Sequence, residues 1–167
     1  EALELDAATR RALELFEHPG GRSQHTLIGV LDTTATPMGG RLLRRWLARP
    51  LCDRGVLSAR LAAIGGLIDL GLVAGLREAL TGLGDVERIL ARVGLKSARP
   101  RDLTTLKRAL LAAPELAARL PADLGGRLAE LRGDLGGHDD TAALLGAALI
   151  EEPPVLLRDG GVLATGY

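Results

Sequence analysis

Four arginines carry the clearest chemical potential in this sequence: Arg41, Arg44, Arg45 and Arg49. At 100° per residue they fall on one side of a helix, while Leu42, Leu43, Trp46 and Leu47 fall on the other. Such a stripe can meet phosphates or the carboxylates of another surface, because each guanidinium presents a planar fork of donors. The commoner fate of a charge stripe is a solvated face or a set of intramolecular ion pairs, with Trp46 here as a core anchor.

Other candidate chemistry fails on spacing. Gly94-Leu95-Lys96-Ser97 has the end of a phosphate-binding loop, but the two glycine positions that loop needs are Leu90 and Leu95. Gly82-x-Gly84 lacks a third glycine, since Glu87 stands there, so a dinucleotide fingerprint fails as well. His18, His25 and His138 form no i, i+4 pair and none lies beside Cys52, which leaves metal binding and nucleophile–base pairing without support. Asp139-Asp140 suits helix capping better than cation ligation. No catalytic or metal constellation is expected, and no cofactor within this chain.

The elements that would position the arginines are helical. A polar turn ending at Thr36-Pro37 opens a helix over Met38–Ala48, and Pro50 lies just past its end. Thr26–Leu31 gives a shorter helix before it. Leu3/Leu5 and Leu13/Leu15 alternate as strands do about an Asp6–Thr9 turn, so strand–turn–strand is the preferred reading. Leu5, Thr9, Ala12, Leu13 and Phe16 also fit a helix face. Asp53 caps a further helix with Val56, Leu57, Leu61, Ile64 and Ile68 as its stripe, weakened by Gly65 and Gly66. Asp85 caps one carrying Val86, Ile89, Leu90 and Val93. Another follows Pro100, with Asp102 in its first turn and Leu103, Leu106 and Leu110 on its buried side.

Pro114 is expected to open a short segment ending by Pro121. Leu124, Leu128, Leu131 and Leu135 make the next stripe, and Asp139 or Asp140 caps a last helix with Leu144, Leu145, Ala148 and Leu149. After Pro153-Pro154 the period changes to two, and residues 155–164 read as a β-hairpin with an Asp159-Gly160 turn. The fold class is therefore mainly α with a small β element, in a single domain spanning 1–167.

The chain has 167 residues, 47% hydrophobic and 25% charged, with 21 basic residues against 21 acidic. A self-sufficient DNA binder carries a clear basic excess, so this balance argues against gripping DNA alone while leaving room for a local patch. Phe16, Trp46 and Tyr167 are too few aromatics for a base-stacking platform. Lys96 and Lys107 are the only lysines, and the heavy use of Arg, Ala, Leu and Gly has the look of GC-rich coding bias. Cys52 alone excludes an internal disulfide and fits a reducing cytosol. No secretory signal pattern or 18-residue apolar run is present, so no membrane partner is expected. A start at Glu1 without an initiator Met suits an excised piece of a longer protein.

Four ordered blocks resemble the core (lever) domain of MutS-type DNA mismatch-repair proteins. They are Leu5–Leu15; His25–Leu51 with its Thr36-Pro37-Met38-Gly39 turn and Arg49-Pro50-Leu51 close; Gly84–Arg92 followed by Ala98–Leu103; and Glu152–Leu163 with Gly166-Tyr167. The resemblance implies the first segment of that core, joining a DNA clamp to an ATPase domain. It also implies a whole protein that is a homodimeric ATPase using ATP and Mg, scanning duplex DNA in the bacterial cytoplasm near the nucleoid and signalling to MutL. Clamp, connector and ATPase domains would be its neighbours. Phe16-Glu17-His18 has the wrong spacing for the family's Phe-x-Glu wedge, and no catalytic residue of the family maps onto this sequence. Leu43, Trp46, Leu47, Ile89, Leu90 and Leu106 are the expected packing residues of a body that transmits motion. Two competing readings are a self-standing DNA-binding module with Met38–Ala48 as recognition helix, and a helical protein-interaction module.

Overall fold

The structure, a computed structural model, describes residues 2–122, 125–155 and 157–167. The chain divides into two compact units, Glu1–Gly66 and Leu67–Tyr167. Both are mainly helical, and the β-pairing among the described residues amounts to two isolated bridges.

In the first unit the expected N-terminal strands give way to a helix, α1 (Ala7–Ala12). The Asp6–Thr9 stretch is a helix start rather than a turn between strands, because the Asp6 carboxylate accepts the Thr9 backbone N–H at 2.6 Å. The one strand-like contact lies upstream, where Ala2 bridges Leu51 and the Leu3 N–H donates to the Pro50 carbonyl at 2.7 Å. Leu15 and Ile28 are buried around Thr26, which is completely so. Thr26 caps α2 (Leu27–Leu31): its hydroxyl donates to the Ser23 carbonyl at 2.6 Å and accepts the Gly29 N–H at 3.1 Å. α3 (Pro37–Ala48) begins with Thr36 as cap and Pro37 in its first turn, as the sequence implied. Asp53 accepts the Val56 N–H and starts α4 (Arg54–Asp69). Its stripe of Val56, Leu57, Leu61, Ile64 and Ile68 is exposed rather than buried.

The second unit is built on α7 (Pro100–Ala118), which α5 (Val73–Leu80), α6 (Val86–Gly94), α8 (Gly126–Asp134) and α9 (Asp139–Ala148) all touch. Leu106, Ala109, Ala113 and Leu116 recur at helical spacing along α7 and are buried. Pro114 does not open a new segment; it sits inside α7, because the buried residues on both sides of it hold the helix through the missing N–H. Gly84 precedes α6 at φ +74, and a Cβ there would land 2.5 Å from Thr105 Cγ2, so only glycine fits.

Two expectations near the C-terminus are corrected. His138, not an aspartate, holds the cap position of α9; Asp139 and Asp140 occupy its first turn, where their charge suits the helix dipole. Among the described residues of 155–164 no hairpin forms. Leu157–Asp159 forms a 3₁₀ turn, and Leu163 bridges Leu149 instead, with the Ile150 N–H donating to Val162 and the Ala164 N–H to Ala148. Burial decides this register: Ala148, Leu149 and Val162 cluster together against Leu103 and Leu145, whereas Val155 and Leu157 are exposed. Leu124 and Leu156, assigned above to a stripe and a strand, lie outside the described residues.

Candidate functional site

The arginine helix α3 is seated by its glycines. A Cβ on Gly40 would come 3.3 Å from Asp32 Oδ2 and 3.3 Å from Thr34 Oγ1, so the preceding loop packs directly on this buried glycine. That loop is held by Asp32, whose Oδ1 accepts the Thr34 hydroxyl at 2.7 Å and the Thr34 N–H at 3.3 Å. Those two hydrogen bonds hold the Asp32 carboxyl below its ordinary pKa, outweighing partial desolvation, and the charge of Arg44 adds to the effect.

The loop also sets the rotation of the helix, and this differs from the expected one. Gly40 is buried, with Leu43 and Leu47 half-buried nearby on the wheel. Leu42 and Trp46 lie on the flank next to the arginines and are 41% and 39% exposed. Trp46 is therefore not a core anchor, contrary to expectation, since the inward face centres on glycine rather than on the large side chains. Arg44, Arg45 and Arg49 are exposed and Arg41 is half-buried. Arg41 and Arg45 also interact within the chain. The guanidinium of Arg60, from α4, lies 4.0 Å from the Trp46 ring centroid. No local pattern joins positions 46 and 60, and sequence reasoning missed the contact.

Ile89, Leu90 and Leu106 belong to the second unit. Ile89 is 2% exposed and Leu106 is buried, but Leu90 is 53% exposed and is not part of the core. In a helix as short as α6 a single residue defines the buried line, and Leu90 lies 100° around from it. The corner between α6 and α7 holds a two-pronged polar contact. Asp102 accepts Arg92 Nε at 2.8 Å on one oxygen and Arg92 Nη2 at 2.7 Å on the other, and also accepts the Arg99 backbone N–H at 2.9 Å. Desolvation raises the Asp102 pKa, but the Arg99 N–H, the Arg92 hydrogen bonds and the two arginine charges prevail and lower it. Asp102 stands in the first turn, as expected from the dipole; neither its bond to the Arg99 N–H nor Arg92 as its partner was signalled by the sequence.

Gly94–Ser97 does not suit a nucleotide phosphate. It follows the C-terminal end of α6, with Lys96 at φ +53, and the N–H groups of Leu95, Lys96 and Ser97 already donate to Ala91, Val93 and Arg92. A phosphate needs free N–H groups at a helix N-terminus, and this end presents carbonyls. The ring centroids of His18 and His25 lie 5.6 Å apart, a proximity the spacing gave no hint of, and His18 Nε2 lies 4.0 Å from Glu14, four residues before it. No group of three or more His, Cys, Asp or Glu among the described residues has metal-binding geometry. Cys52 is exposed.

The described residues form a helical body with capped joints and a part-buried, arginine-tied corner. The family model for MutS domain III matches residues 8–165. The chain belongs to that family. It is thus a MutS core domain of the mismatch-repair type, and the four sequence blocks noted above all fall mostly or wholly inside the match. MutS domain III works with the other domains of a MutS protein, which gives the exposed faces of α3 and α4 a context.

Proposed function

We propose that this MutS core domain couples the DNA clamp of a mismatch-repair protein to its ATPase domain, and contributes no catalysis of its own. In that reading ATP and Mg bind elsewhere in a homodimeric protein. Clamp, connector and ATPase domains are its intramolecular partners, duplex DNA and MutL its outer ones, and the cytoplasm its location. The observation that carries the reading is α7. This 19-residue helix is touched by four others, and its ends are tied by side chains. Arg92 grips Asp102 at its start, while Arg132 donates to the Ala117 carbonyl at 3.2 Å near its end. A helix held this way moves with its neighbours as one piece, and such a piece passes a bias at one end to the other.

The test uses the intact protein that carries this domain, with Arg92→Ala and Arg132→Ala combined. ATP hydrolysis without DNA and affinity for a G·T duplex should each stay within about twofold, whereas the change in nucleotide turnover on mismatch binding should fall at least about fivefold, the low end of typical coupling. An unchanged mismatch response in a protein that is measurably less stable would reduce the domain to a passive scaffold. The 167-residue chain alone should hydrolyse no ATP and bind a G·T duplex no better than its matched control.

A further inference from the structure

We propose that the loop from Glu14 to His25 is a proton-operated switch: neutral His18 holds the Gly20 backbone, and protonated His18 releases it and turns to Glu14. The inference concerns this loop of the first unit and stands or falls separately from the coupling role. His18 Nδ1 accepts the Gly20 N–H at 2.9 Å. An imidazole nitrogen accepts only while it carries no proton, and a protonated ring has two donors and no acceptor. The bond therefore fixes the neutral form with its proton on Nε2, the nitrogen that lies 4.0 Å from the Glu14 carboxylate. The fit on the other side is close: a Cβ on Gly20 would come 3.1 Å from both Nδ1 and Cε1 of the ring. A proton taken up at Nδ1 meets the Gly20 N–H donor against donor, so the two must part.

Glu14 supplies the second position of the switch, since its carboxylate attracts an imidazolium that it can only weakly hold while neutral. His25, exposed in the 3₁₀ turn Ser23–His25, adds a push, because charge on both rings at a centroid separation of 5.6 Å is repulsive. Glu17 and Arg22 are the remaining charged residues of the loop, and Glu17 shares a groove with Arg10 and Arg11 of α1. The base of the loop does not depend on the histidines. There the Leu27 and Ile28 N–H groups donate to the Glu14 and Leu15 carbonyls, each at 3.0 Å, beside the completely buried Thr26. Proton uptake thus moves the tip and leaves the start of α2 in place.

The 167-residue chain is followed by ¹⁵N–¹H NMR from about pH 8 to about pH 5, the range in which histidine ordinarily changes charge. The Gly20 amide proton should move upfield as its acceptor is lost, with the same midpoint as the His18 Cε1 proton. Through-space contacts between the His18 ring and the Glu14 side chain should strengthen at the lower pH, while the Leu27 and Ile28 amides hold their positions. His18→Gln should leave the Gly20 amide insensitive to pH, and His25→Gln should leave its response in place. Far-UV circular dichroism confirms that both variants fold. A Gly20 amide that stays fixed while His18 titrates, or that shifts as much in His18→Gln, would refute the switch. So would a His18 that takes up no proton in this range or makes no approach to Glu14. Equal movement of Leu27 and Ile28 would also overturn it, as a general loosening of the unit.

Discussion

Removing either partner of the Arg92–Asp102 pair should loosen the corner between α6 and α7 by a measurable and separable amount. Asp102 does two jobs: it caps α7 through the Arg99 N–H and receives both forks of Arg92. Loss of an N-terminal capping interaction costs about 1 kcal/mol. Charge-assisted hydrogen bonds contribute about 1.5–3 kcal/mol when shielded. Asp102 is shielded, its side chain 16% exposed, but Arg92 is 40% exposed and part of its gain is screened. Discounted for that, Arg92→Ala should cost about 1–2 kcal/mol and Asp102→Ala about 2–3 kcal/mol. Urea denaturation of both single variants and the double should give a coupling of about 1–2 kcal/mol with unchanged m-values. A coupling below about 0.5 kcal/mol, the scatter expected of independent sites, would mean that the contact is an ornament of the corner. The same pair sets a pH signature. Its folded-state pKa lies below the ordinary 3.8, so its stabilisation is complete above that value and is lost as pH falls through the lower one. The stability difference between wild type and Asp102→Asn should thus be flat from pH 8 to about 5 and shrink below 3.8.

Ile89→Ala should destabilise by about 2–5 kcal/mol, while Trp46→Ala should cost less than the roughly 3–5 kcal/mol of a fully buried aromatic, because 39% of Trp46 is exposed. A reversed order in thermal or urea unfolding would show that α3 is rotated differently. Thr26→Val keeps the volume but leaves the Gly29 N–H without its acceptor, and a loss of about 1–3 kcal/mol is expected by the same measurement. Gly84→Ala forces a Cβ against Thr105 at a left-handed φ, so it should cost at least about 1–2 kcal/mol, whereas Gly94→Ala, at an open, ordinary-φ helical site, should be neutral or stabilise by up to about 1 kcal/mol.

The extent of α3 was legible because its signals are local: Thr36 and Pro37 at one end and Pro50 beyond the other. Its rotation was not. A wheel counts leucine and tryptophan as inward and glycine as neutral, yet here the absence of a Cβ at Gly40 lets the Asp32–Thr36 loop come in and claim the buried side. The same limit explains the C-terminus. Alternation announced extended chain around Val162, but its partner at Leu149 was chosen by burial of Ala148, Leu149 and Val162, a contact that no turn residue encodes. At the N-terminus, period-two and period-3.6 patterns coincided in a short stretch, and the Asp6 side chain decided for helix.

Pro114 shows how stiffness in this domain differs from stiffness in an isolated helix. A proline there removes the N–H that would reach Leu110 and by itself costs about 3 kcal/mol. Helix α7 nonetheless continues to Ala118, with Ala113 and Leu116 buried beside the break. Past the break, side chains tie this end of α7 to its neighbours: Arg132 donates to the Ala117 carbonyl, and Arg119, at the C-cap, donates to the Gly75 carbonyl of α5 at 3.1 Å. The final turns of α7 are therefore held by α8 and α5 as well as by the chain's own backbone hydrogen bonds. The proposed coupling would need both ends of α7 to move with their neighbours, and this is why the test pairs Arg92 with Arg132 and does not rely on a substitution in the middle of the helix.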